Sequence, residues 1–147
     1  MSESKIDMKG IKKMNTLELL LKADTDQFKL PIRKVEIPRL SALFGGQAVF
    51  TCQALSTSKY NEIQEAAADF TNGQIQGIDM GEVQMATVLA GVIEPNLKDK
   101  ELMAHFKVPT PAELVKKLLL PGEIVTIFNV ISEISGFGDD VIKEIKN

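Results

Sequence analysis

The sequence predicts a predominantly helical α+β fold: a multi-helix domain with a small N-terminal two-stranded antiparallel β unit. Three observations lead there. Over most of the chain apolar residues recur at three- and four-residue steps, the spacing that gathers side chains on one helix face. Between Phe28 and Leu55 the period changes to alternation, as a half-buried strand requires. Helix caps and breakers such as Thr110-Pro111-Ala112-Glu113 and Pro121 fall where these periodic stretches begin and end. At 147 residues, 44% apolar and 25% charged, the chain has the size and composition of one domain with its own core.

Residues 1–15 (MSESKIDMKGIKKMN) are polar, lysine-rich and broken by Gly10, and are expected to form a flexible N-terminal extension. Met14 is an alternative natural start. Residues 16–147 are read as a single domain. Asn15 caps a short helix through Leu17, Leu19, Leu20 and Leu21 to about Ala23, with Glu18 at the third position. Val35 and Ile37 alternate with Lys34 and Glu36 as a strand that Pro38, lacking a donor, confines to a sheet edge or bends. Gly45-Gly46 is a turn into a second strand, with Ala48, Phe50, Cys52 and Ala54 inward. Two strands alone are marginal in water, so helices must cover them.

Ser56 or Ser58 starts a helix to about Phe70, and Thr71 to Gly77 reads as a loop. Asp79 and Glu82 open a helix running through Ile93 to Pro95. Apolar nearly all round, it is expected to lie centrally between two layers. A short helix from Asp99 carries Leu102, Met103 and Phe106. Thr110 and Pro111 start another, which ends at Leu120 because Pro121 supplies no N–H; Pro121 then opens the last long helix, with Glu123 in its first turn. Ile124, Ile127, Phe128, Ile131 and Ile134 share a face that Val125 and Val130 widen. Gly136 and Gly138 suit a left-handed stop, and a last turn or two is expected over Val141, Ile142 and Ile145.

The ionisable side chains restrict chemistry. Metal sites of imidazole and thiolate need several ligands, and the chain offers His105 and Cys52. Cys52 lies on the inner face of a strand, the place of a structural thiol rather than a nucleophile. His105 sits near a helix end, where a cation is tolerated. The paired Asp139 and Asp140 lack the alternating oxygens and closing Glu of a calcium loop. No Lys-Ser/Thr follows Gly45-Gly46 as a phosphate loop demands, and Lys116-Lys117 reads as the wet side of a helix. A carboxylate-only hydrolase needs two converging acids, and no pair is singled out. A net charge of −3 argues against nucleic acid, and no apolar run is long enough to span a bilayer. One cysteine fits a reducing cytoplasm. No catalytic, cofactor-binding or metal-binding residue and no cofactor is assigned.

Four stretches resemble one family. They are VEIPRLS (Val35–Ser41), FTCQALS (Phe50–Ser56), the segment to Pro95 reading QMATVLAGVIEP, and LVKKLLLPGEIVTIFNVISEISGFGDD (Leu114–Asp140). Together they are similar to the XkdN-like tail assembly chaperones of long-tailed phages and phage-derived tail elements. The likeness covers roughly Thr16 to Asn147, and LLLPGEI with the later SGFGDD is its most specific part. It implies a non-enzymatic protein of the bacterial host cytoplasm that binds the tape measure protein, keeps it soluble, helps recruit tail tube protein and is absent from the mature tail. It also implies a longer form made by frameshifting near the Ile145-Lys146-Asn147 codons, which the gene's sequence decides.

Leu118, Leu119, Ile124, Phe128 and Ile131 are the expected partner-binding residues, for a tape measure segment or for self-association into a homo-oligomer. The same five also satisfy a plain core reading. The alternative from another class is a structural tail component retained in the virion or phage-like particle.

Overall fold

The computed structural model describes residues 5–6, 12–71 and 73–146. Among these, the chain runs β1 (Lys5–Ile6), β2 (Lys12–Lys13), α1 (Thr16–Lys22), a 3-10 turn (Thr25–Gln27), β3 (Ile32–Glu36), α2 (Pro38–Phe44), β4 (Val49–Gln53) and α3 (Thr57–Ala67). It continues through β5 (Ala68–Thr71), β6 (Gln74–Ile78), α4 (Met80–Gly91), β7 (Val92–Glu94), α5 (Lys100–His105), α6 (Pro111–Leu118), α7 (Pro121–Ser132) and a π turn (Glu133–Phe137). The class is the expected one: helices with a small antiparallel sheet. Of the N-terminal extension, β1 pairs antiparallel with β2, whereas residues 1–4 and 7–11 lie outside the described residues.

Local chemistry sets the helix starts. Asn15, Ser56, Asp79, Asp99 and Thr110 each accept a hydrogen bond from the third residue of the helix that follows, satisfying one of its orphan donors. Ser56, not Ser58, caps α3, accepting from Lys59 N at 3.1 Å.

The sheet has the order β3-β4-β7, with both pairs antiparallel. β3 and β4 are the two expected strands, and β3 is an edge of the sheet; Pro38 lies beyond its end at Glu36. The third strand lies where the sequence predicts the end of the helix opened by Asp79. That helix stops at Gly91 because β-branched Val92 and Ile93 turn to pair with β4, placing buried Val92 opposite buried Cys52. Pro38 also begins α2, which the alternating reading of Phe28–Leu55 missed. Proline fits the first helical position, and burial of Ile37 and Leu40 fixes the turn against the core.

A further correction concerns Thr71–Gly77, expected as a loop. α3 ends at Ala67, and β5 and β6 form a hairpin with Thr71 opposite Gln74. Gly73, between the two strands, takes a positive φ of 76°, which glycine adopts without strain. At the other end, Val141, Ile142 and Ile145 are not helical. They are 55%, 88% and 75% exposed, and without apolar surface to pack on so short a helix does not hold. Gly136 takes the expected left-handed conformation, φ +100°, inside the π turn and breaks its helical geometry there, while Gly138, which follows the turn, is extended rather than left-handed.

α4 lies at the centre. Val88 belongs to the main core with Phe50, Cys52, Val115, Ile127 and Ile131, whereas Val83 belongs to a second cluster with Ile63 and Ala67 of α3. An all-round apolar helix is what two cores on opposite sides demand. α4 and α7 approach closely at Gly91, where an added Cβ would lie 2.5 Å from Ile131 Cδ1.

Candidate protein-docking site

The junction of α6 and α7 is held by a polar clasp. α6 ends at Leu118, two residues earlier than Pro121 alone suggests, and Leu119 and Leu120 run extended into α7. Glu123, in the first turn of α7, accepts from Leu120 N at 2.7 Å. Arg39 of α2 reaches the same carboxylate with two bonds, Nε to Oε2 at 3.0 Å and Nη2 to Oε1 at 2.8 Å. Its Nη2 also donates to Leu118 O at 2.8 Å, a carbonyl that α6 leaves open at its end. The planar guanidinium fits this forked geometry in a way a lysine does not. The hydrogen bonds from Arg39 hold the Glu123 carboxyl below its usual range, assisted by the Leu120 amide and opposed by partial burial.

The five expected binding residues are brought together around the main core. Leu119 and Ile131 are inside it, 4% and 0% exposed, and Leu118, Ile124 and Phe128 pack half-buried at its edge. Phe128 also lies against the second cluster and lines a groove with Leu55, Tyr60 and Val83. The end of α7 is fastened there by Ser135, which accepts from Leu55 N at 2.8 Å and donates to Ile131 O at 2.6 Å. Tyr60 and Phe137 stack nearby with ring centroids 5.1 Å apart.

On the opposite flank of α7 is an open groove of about 400 Å³, with Val35, Ile37 and Pro38 on one wall and Leu120, Ile127 and Val130 on the other. It exists because β3 is an edge strand, so the layer between sheet and α7 opens to solvent there. None of the five expected residues lines it. The sequence signal for it is Val130, which widens the apolar face of α7, whereas Pro38, expected to confine its strand to a sheet edge or bend it, instead starts α2 and lines the groove.

Cys52 is fully buried, and burial pushes its thiol pKa up, only partly offset by Arg33. His105 is exposed with its ring edge-on to Phe106 at 5.1 Å. Asp139 and Asp140 are exposed beyond the π turn, with no helix after them. Among the described residues no group of three or more His, Cys, Asp or Glu is arranged to hold a metal ion, and no helix is long and apolar enough to cross a membrane.

The sequence model of the phage XkdN-like tail assembly chaperone proteins matches residues 17–146, nearly the whole chain. The chain belongs to this tail assembly chaperone family. Two Bacillus subtilis (strain 168) proteins are similar over 123 residues, 80% of each chain: YqbN at 26% identity and the phage-like element PBSX protein XkdN at 24%. The crystal structure of YqbN matches 86% of this chain and all of its own, with a TM-score of 0.62 at 23% identity, and supports the fold. The tail assembly chaperones are not an enzyme class, and the family places this chain among proteins that act on protein partners during tail assembly.

Proposed function

We propose that this protein is a non-enzymatic tail assembly chaperone that binds the tape measure protein and helps recruit tail tube subunits around it. It works in the host cytoplasm and leaves before the tail is complete. Family membership over residues 17–146 carries this reading. The physical side agrees: a tape measure chain exposes apolar helical stripes until it is enclosed, and the α6–α7 corner offers apolar surface rather than reactive groups. In this proposal residues 16–147 act as one unit. Leu118, Ile124 and Phe128 contribute contact surface, and Leu119 and Ile131 hold that surface in shape from beneath.

Co-expression with the neighbouring tail genes followed by affinity purification tests it. The tape measure protein is expected to co-purify. Leu118→Asp and Phe128→Asp are expected to abolish capture, and Leu120→Asp, at a 52% exposed position beside the corner, to weaken it without loss of fold by circular dichroism. Capture unchanged in all three folded variants overturns the assignment of the face. Mass spectrometry of purified tails addresses departure: the chain should be missing, and finding it there at stoichiometric level makes it a retained tail component instead.

A further inference from the structure

β3 ends its sheet with one side unpaired. Pro31 O accepts from Ala54 N at 2.8 Å and Ile37 N donates to Ala48 O at 3.0 Å, so the odd-numbered residues turn their backbone groups toward β4. Ile32, Lys34 and Glu36 therefore turn theirs to the open edge, where an extended backbone supplies the matching row of donors and acceptors. The groove of about 400 Å³ between β3 and α7 lies along the same edge. It is the slot that every second side chain of a further strand would enter.

The chain carries a segment of that kind. Past the π turn, Val141, Ile142 and Ile145 are exposed in an irregular stretch, three large apolar side chains with no cover. Its root lies next to β3. An added Cβ at Gly138 would lie 3.4 Å from Glu133 Cγ, and the Glu133 carboxylate is 3.4 Å from Arg33 Nη1 near the start of β3. At the other end of α7, Glu123 meets Arg39, just past the end of β3. α7 thus runs opposite to β3, and a segment turning back from its end along the open edge runs parallel to β3. Residues 139–146, extended at about 3.3 Å each, outreach the five residues of β3. Aligned in parallel with Ile142 beside Ile32, the two sequences match: Glu144 falls beside Lys34 and Lys146 beside Glu36. On the other face Ile145 falls beside Val35, which lines the groove. The like-charged neighbours in this register, Lys143 and Arg33, have the Glu133 carboxylate beside them.

We propose that residues 141–146 are a strap that adds to β3 as a fourth, parallel strand of the sheet and closes the groove against α7. The structure holds the strap open. Seated, it shields the apolar walls at Val35, Leu120 and Val130, so another protein reaches that flank only by displacing it. The contact lies within one chain and is measured on that chain alone, so it does not rest on the tape measure reading and fails separately from it.

Hydrogen exchange reads the seat directly. The Lys34 and Glu36 amides should exchange at least roughly tenfold more slowly in the full chain than in a chain ending at Gly138, with equal helix content by circular dichroism. Ile145→Asp, at a position outside both cores, should speed these two amides to the rate of the shortened chain without loss of fold. Lys34→Glu should release the strap in part, read at the Glu36 amide, and adding Glu144→Lys should restore it. A chain bearing Lys34→Cys and Glu144→Cys should close a disulfide within one copy under mild oxidation at low concentration. Neighbouring strands bring Cα atoms within bridging range, and Cys52 is buried. The proposal is overturned if the edge amides exchange equally fast in the full and shortened chains, or if Ile145→Asp leaves them protected. It is equally overturned if the disulfide joins only separate copies, which gives the segment to the edge of another chain.

Discussion

Cys52 and Gly91 make opposite demands on space. The Cys52 thiol is enclosed in the core, opposite Val92 of the neighbouring strand, and burial keeps it in the neutral form. Thiol reagents should therefore leave the native chain unmodified and titrate one group only on unfolding; rapid labelling of the folded protein is the contrary result. Gly91 is where α4 meets α7. A Cβ there would lie 2.5 Å from Ile131 Cδ1 and 2.9 Å from Cγ1 and Cγ2, inside any contact distance, so Ile131 must give way. Gly91→Ala is expected to destabilise by about 1–3 kcal/mol in denaturant unfolding, the usual cost of overpacking. Combining it with Ile131→Val removes the nearest methyl and should cost less than the sum of the two single changes. Cys52 was legible from the alternation around it. Gly91 was not, because a glycine inside a helical pattern carries no mark of the neighbour it admits.

Among the elements, α2 and the α6–α7 corner are tied by Arg39, whose guanidinium satisfies both the Glu123 carboxylate and the end of α6. Arg39→Lys should lower the melting temperature by nearly as much as Arg39→Ala, since one ammonium cannot make the forked set. The pH dependence follows from sign. The folded-state pKa of Glu123 lies below the ordinary 4.5, so the folded state gains from the charged carboxylate at all pH above that value. The gain is lost as pH falls through the depressed pKa. Glu123→Gln should accordingly be less stable than the parent at neutral pH, with the difference shrinking in acid; a constant difference down to about pH 3 excludes the linkage. Ser135 joins α7 to the turn before α3. Ser135→Ala leaves the Leu55 amide without that acceptor and should cost about 1–2 kcal/mol. Element starts were readable because caps are local: Asn15, Asp79, Asp99 and Thr110 act within three residues of themselves. α2 and β7 were not, since α2 is fixed by burial of Ile37 and Leu40 in the core and Val92 by its pairing with β4.

At the scale of the whole molecule, the two cores share α4 and draw on every element from β3 to α7 except the hairpin and α5, while α1 adds nothing to either. The alternating and helical periods were enough to give the class and the central place of α4, because burial on one side or two is written directly in the pattern. Whether an apolar stripe meets its own domain or another chain is not written there: the leucines of α1 and the isoleucines of α7 look alike in sequence, yet Leu21 is 76% exposed and Ile131 is 0% exposed. This difference has a measurable consequence. A chain beginning at residue 24 lacks α1 but keeps every residue of both cores, so its unfolding free energy should match the parent within about 0.5 kcal/mol, as for changes that touch no buried contact. Removing a comparable length from α7 should abolish the transition. If loss of α1 instead lowers stability by several kcal/mol in dilute solution, where copies are apart, then its leucines already serve their own domain, and the division between folding surface and docking surface falls elsewhere.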